Sequence, residues 1–153
     1  TSSNNIMNLI NETKSKFKTI DIWINNAGVN QPDKAIWELE EKEISLVFDV
    51  DLKGTVIASK LIMETMIGQG SGAIYNVEGY GSNDAKMLGL SIYGTSKRAI
   101  TYFTEALAKE SEELNTGVIV GKLSPGIIDL IRLAFLSSRR CQSNLKSNSD
   151  SMA

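Results

Sequence analysis

The chain has 153 residues, with 16 Lys and Arg against 18 Asp and Glu, for a formal net charge of −2. That length supports at most one domain, and the near balance of charge leaves no basic face for nucleic acid or an anionic membrane. Histidine is absent and Cys141 is the single cysteine, so imidazole catalysis, histidine- or cysteine-rich metal sites and an internal disulfide are excluded.

Taken in chain order, residues 4–18 place Ile6, Leu9, Ile10 and Phe17 at helical spacing, which predicts an amphipathic helix. The sequon Asn11-Glu12-Thr13 lies inside that helix and is read as accidental. The apolar run Ile20–Ile24 leads into Asn25-Asn26-Ala27-Gly28, a buried strand with a turn at its carboxyl end. A long helix is predicted over 41–66, with Ile44, Val47, Phe48, Thr55, Ala58 and Ile62 on one stripe. Residues 72–77 read as a second strand, 93–114 as another helix, and 117–126 as a third strand that stops at Pro125.

Strands that are apolar throughout and separated by helices imply a parallel α/β sheet covered on both faces. No apolar run is long enough to span a membrane. Residues 1–130 form the expected ordered unit, while 131–153, rich in Ser, Asn and Arg, are expected to be an irregular or disordered tail.

The glycines do not make a phosphate-binding turn. Gly68 to Gly72 is glycine-rich but follows a helix and precedes a strand, the reverse of the order a pyrophosphate needs. Gly79 and Gly81 follow a strand, yet no helix starts directly after them. The polar candidates instead gather at the carboxyl ends of the three strands, where ligands bind in open α/β folds. Asn25 to Gly28 end the first strand, the loop carrying Ser82 ends the second, and Ser124-Pro125-Gly126 end the third. Tyr93 and Lys97 stand four residues apart at a helix start, eleven residues after Ser82 for the tyrosine. A Tyr-x-x-x-Lys pair alone is a weak signal; its convergence with the rest is not.

The Asn-Asn-Ala-Gly strand end, the Ser…Tyr-x-x-x-Lys site and the Pro-Gly turn, in that order, resemble the short-chain dehydrogenases/reductases over about the first 130 residues. Within that family the loop Asn76-Val77-Glu78-Gly79-Tyr80-Gly81-Ser82 is similar to the chlorophyll(ide) b reductase-like group. The resemblance implies a three-layer Rossmann-like parallel sheet with flanking helices, here incomplete because the first βαβ units are missing. It implies an oxidoreductase that moves hydride between NADP or NAD and a small-molecule carbonyl or alcohol. Catalytic roles fall on Tyr93, Lys97, Ser82 and Asp51, and cofactor contacts on Asn25, Asn26, Ala27, Gly28, Tyr93, Lys97, Pro125, Gly126 and Ile128.

The chemistry of the residues agrees. Tyrosine is a poor acid or base near neutrality, with a pKa of about 10. A cation one helical turn away favours tyrosinate, so Lys97 is expected to bring Tyr93 down and to reach a cofactor ribose. Ser82 is expected to hold the substrate oxygen against Tyr93. No metal enters this chemistry.

Three departures from the family pattern stand out. The family's serine usually falls two positions earlier, where this chain has Tyr80. Asp51 replaces an Asn on the inward stripe of the long helix, where a carboxylate is costly unless a partner such as Lys97 meets it. The opening strand, glycine-rich turn and helix have no counterpart, nor does the Thr beyond the Pro-Gly turn. The sequence therefore reads as the middle of a reductase, inactive by itself. The alternative is a non-catalytic dimerisation or scaffold protein that keeps the family's helices. A homo-oligomer through the two long helices and a cytoplasmic or plastid-soluble location complete the expectation.

Overall fold

The structure is a computed structural model and describes residues 2–125. The expected tail and the boundary at residue 130 lie outside the described residues, as do Gly126 and Ile128. Helix α1 (Ser3–Phe17) turns Ile6, Met7 and Ile10 toward a sheet and leaves Leu9 and Phe17 exposed. Strand β1 (Ile22–Asn25) follows, starting two residues and ending one residue later than the predicted run. A 3-10 turn at Ile36–Glu38 leads into helix α2 (Glu41–Val47).

The predicted long helix is not one regular helix. It runs from α2 through a π-helical turn, Phe48–Lys53, into α3 (Gly54–Gln69). A π turn adds one residue to the repeat and re-aims the side chains on it. Strand β2 (Gly72–Val77), helix α4 (Ser91–Glu113) and strand β3 (Val118–Leu123) complete the described chain. Among the described residues no helix is long and apolar enough to cross a membrane.

The three strands are parallel in the order β1-β2-β3, with Ile22 opposite Ala73 and Ala73 opposite Ile119. Parallel pairing requires the crossover helices the sequence predicts. Strand alternation sends Trp23, Ile74, Val118 and Val120 to one face, where Ile10 of α1, Ile62, Met63 and Met66 of α3 and Leu107 of α4 pack on them. Each fully buried Ile or Met there contributes about 2 kcal/mol. The opposite face carries Ile22, Ile24 and Ile119, all exposed, so the described helices cover one side of the sheet.

A polar ladder runs through the covered side and ties strands to helices. The Trp23 indole donates to the Asn25 side-chain oxygen at 2.7 Å. The Asn25 amide donates to Ser59 of α3 at 2.9 Å and to Asn76 of β2 at 2.8 Å. The Asn76 amide in turn donates to Thr104 of α4 at 2.9 Å. Every member is satisfied, which is the condition under which a buried polar network stabilises and fixes register.

Candidate active site

The π turn carries Asp51 inward until it is 0% exposed, although its neighbours Asp49 and Lys53 face solvent. Its carboxylate is provided for on both oxygens. Oδ1 accepts the Val29 N–H at 2.7 Å, just beyond the Asn25–Gly28 turn. Oδ2 stands 3.7 Å from Lys97 Nζ and 3.4 Å from the Ser96 hydroxyl, whose one hydrogen is shared with the Tyr93 carbonyl at 2.7 Å. A buried carboxylate with these partners is tolerable where an unpaired one would not be.

Lys97 reaches Asp51 because α4 starts beside the carboxyl rim and turns positions 93 and 97 to one face. The lysine side chain is 7% exposed, and its ammonium lies 5.4 Å from the centroid of the Tyr93 ring. Gly79 makes room for both. A methyl group there would collide with the Tyr93 hydroxyl and come within 3.1 Å of the Lys97 stem. The Gly79 N–H donates to Ser82 Oγ at 3.1 Å, and the Ser82 carbonyl accepts Arg98 at 2.9 Å. Ser82 is thus buried against the same loop backbone that meets the Tyr93 hydroxyl.

The tyrosine departs from expectation. Its hydroxyl is pushed above the ordinary value, first by burial and second by the Asp51 carboxylate. Lys97 does not bring it down, because the carboxylate beside the ammonium sets an opposite charge near the same phenol.

Of the expected cofactor residues, Asn26, Ala27 and Gly28 are exposed at the carboxyl end of β1. A side chain at position 28 would lie 3.4 Å from Lys97 Nζ and 3.5 Å from Asp51 Oδ1, so glycine leaves the approach to both open. Asn25 differs: alternation turns its amide into the polar ladder, where it supports the turn from below. Pro125 lines an open pocket of about 530 Å³ with Ile24, Asn26, Val77, Leu123 and Ser124. Tyr80 lies elsewhere, its hydroxyl donating to the Lys86 carbonyl at 3.3 Å.

Sequence reasoning missed Gln31. It is 5% exposed, and its Oε1 accepts the N–H groups of Ile92 at 2.7 Å and Tyr93 at 3.1 Å. It caps the first turn of α4, satisfying donors that a helix start leaves free. A polar residue soon after a strand end was the available signal, but a cap supplied from 61 positions away leaves no local pattern.

Similarity to known proteins places the chain in a family. The sequence matches the short chain dehydrogenase family over residues 1–136. A probable chlorophyll(ide) b reductase of Oryza sativa subsp. japonica is 31% identical over 124 residues, covering 80% of this chain and 24% of that protein. A 3-oxoacyl-[acyl-carrier-protein] reductase of Synechocystis is 32% identical over 123 residues, covering 78% of this chain and 47% of that protein. The solved structure of ElxO with NADP bound shares the fold at a TM-score of 0.78 and 23% identity, covering 90% of this chain and 55% of that one. The chain thus spans between a quarter and a half of the length of these curated relatives. With a family match over residues 1–136, most of its length, the chain belongs to the short-chain dehydrogenases.

Proposed function

We propose that these residues are the catalytic half of an NAD(P)-dependent carbonyl reductase, and the gathering of Tyr93, Lys97 and Ser82 around Gly79 carries that reading. The rim fits the nicotinamide and ribose end of the cofactor: exposed Asn26 offers polar groups, Gly28 leaves Lys97 reachable, and Ile24, Val77 and Leu123 supply an apolar wall. Bound NAD(P)H supplies the hydride that reduces the carbonyl carbon. Tyr93 gives its phenol proton to the oxygen as charge develops there. Ser82 accepts the Gly79 N–H, which leaves its own hydrogen to donate to the substrate oxygen. Lys97, its stem beside Gly79 and its ammonium 5.4 Å from the Tyr93 ring, would offer that ammonium to a ribose hydroxyl, with Asp51 3.7 Å away to hold it.

The relatives named for chlorophyll(ide) b and for a 3-oxoacyl group both point to a carbonyl substrate, with a chlorophyll(ide)-like one as the narrower form of this proposal. A homo-oligomer through α3 and α4 accompanies it, supported by exposed Tyr102 on α4 and Ile67 on α3. So does a cytoplasmic or plastid-soluble location. Among the described residues no strand leads through a glycine-rich turn into a helix that could receive a pyrophosphate, so by themselves the 153 residues are proposed to bind the cofactor weakly and to be inactive. The same observation favours the second reading, a non-catalytic dimerisation or scaffold protein.

Turnover of carbonyl substrates with NADPH and NADH, measured in a protein that joins these residues to a pyrophosphate-binding unit, separates the two. Tyr93→Phe and Lys97→Ala should each lower it by about a hundredfold or more. Unchanged turnover in both variants would favour the non-catalytic reading.

A further inference from the structure

The Asp51–Lys97 pair bears on the direction in which the site works. Seen from Tyr93, an ammonium 5.4 Å from the ring centroid would by itself favour the tyrosinate. The carboxylate 3.7 Å from the same nitrogen is fully buried and held by the Val29 N–H and the Ser96 hydroxyl. The carboxylate thus works against the ammonium at the phenol, and burial, the larger influence, also favours the uncharged form.

Most of the other charged groups near the start of α4 have partners of their own. Glu78 at the end of β2 lies 3.6 Å from Lys122 of β3, and Arg98 lies 3.2 Å from Asp84 in the loop before α4. Glu43 of α2 pairs with Lys34 at 3.3 Å, and Asp49 of the π turn with Lys53 at 3.0 Å. Asp33 sits beside Gly89 in the approach to the helix. Asp51 and Lys97 are left as the charges that set the state of Tyr93.

We propose that Asp51 is a positioning residue that offsets Lys97 and so keeps Tyr93 a neutral phenol, setting the site to give a proton to a reduced carbonyl rather than to take one from an alcohol. The inference rests on the reductase reading above. In the reductive step the Tyr93 O–H bond breaks as the alcohol O–H bond forms, and the hydride comes from NAD(P)H. The reverse step needs tyrosinate as the base. For an ordinary tyrosine that form is about one part in a thousand at pH 7, and each further unit of upward displacement makes it tenfold rarer.

The test reads the phenol directly, in the 153-residue chain without cofactor. Tyrosines labelled with carbon-13 at Cζ are titrated from pH 6 to pH 11, and the Tyr93 signal is assigned by its loss in Tyr93→Phe. In the unsubstituted chain Tyr93 should be less than about a tenth ionised at pH 9. Asp51→Asn should lower its midpoint by at least about one unit, tenfold in acid constant, while Asp51→Glu should keep the original value. Lys97→Met, which strips the cation and leaves the carboxylate, should raise the midpoint. A Tyr93 that is mostly tyrosinate at pH 9, or one whose midpoint is the same in the unsubstituted chain and in Asp51→Asn, overturns the proposal. If Asp51→Asn gives no dispersed amide spectrum, the unsubstituted chain and Lys97→Met decide, and a midpoint that Lys97→Met leaves unmoved or lowers overturns it. No turnover enters these measurements. Failure of the reductase reading would show separately, as turnover indifferent to Tyr93→Phe.

Discussion

Gly79 is the residue on which Tyr93, Lys97 and Ser82 lean. Its missing side chain lets the Tyr93 hydroxyl and the Lys97 stem come against the loop backbone, while its N–H engages Ser82. Gly79→Ala should displace the Tyr93 ring and cost about 1–3 kcal/mol of stability from overpacking. Where the residues work in an active protein, turnover should fall by about a hundredfold, since a small misplacement of a reacting group is expensive. Gly68→Ala is the matched control. That glycine is on α3 with nothing within 4 Å of an added methyl, so the substitution should leave turnover alone and raise stability by about 0.5–1 kcal/mol. Urea unfolding beside turnover assays reads both variants, and a Gly79→Ala protein with full activity would show that the contact is idle.

At the scale of elements, the joint between strands and helices is Asn76. It is buried, accepts from Asn25 of β1 and donates to Thr104 of α4, so one side chain links two strands and a helix. Asn76→Ala removes a donor and an acceptor together and leaves the Asn25 amide and the Thr104 hydroxyl short of partners in a dry site. A loss of about 2–4 kcal/mol is expected from those orphaned groups and the cavity, read from the urea midpoint. A loss below about 1 kcal/mol would mean that neighbours rearrange to replace the bonds. The three strands were legible in the sequence because runs such as Ile22–Ile24, which ends at Asn25, and Gly72–Val77, which opens on Gly, are short and mostly apolar. The rim that gathers Asn26, Gly28, Tyr93 and Lys97 followed from parallel topology alone. The π turn was not legible, since the stripe from Val47 to Ile62 reads equally well as a regular helix and one inserted residue has no composition of its own. Nor was the upward displacement of Tyr93, which comes first from burial and second from the Asp51 carboxylate on another element.

At the scale of the molecule, the dominant feature of the described residues is a sheet that their helices clothe on one side. Ile22 and Ile119 are 61% and 64% exposed, in one row across the strands with Ala73 between them, and β1 is an edge with open backbone groups. Such a face and edge invite association. Residues 1–153 as a separate polypeptide should therefore sediment as oligomers at concentrations on the order of tens of micromolar, and Ile22→Lys with Ile119→Lys should shift the population toward monomer. A monodisperse unsubstituted chain would count against this. The strand order also bears on synthesis. Because β1, β2 and β3 lie side by side in the order in which a ribosome makes them, each new strand can dock on the exposed edge of the one before it. No strand must be threaded between two that are already paired, and each crossover helix emerges just before the strand that needs it. Nascent chains commonly fold from the amino end as they are made. This half of the sheet can grow by simple addition, with β1 and α3 waiting for β2, and the face that holds Asp51 can close on Lys97 only when α4 has left the tunnel.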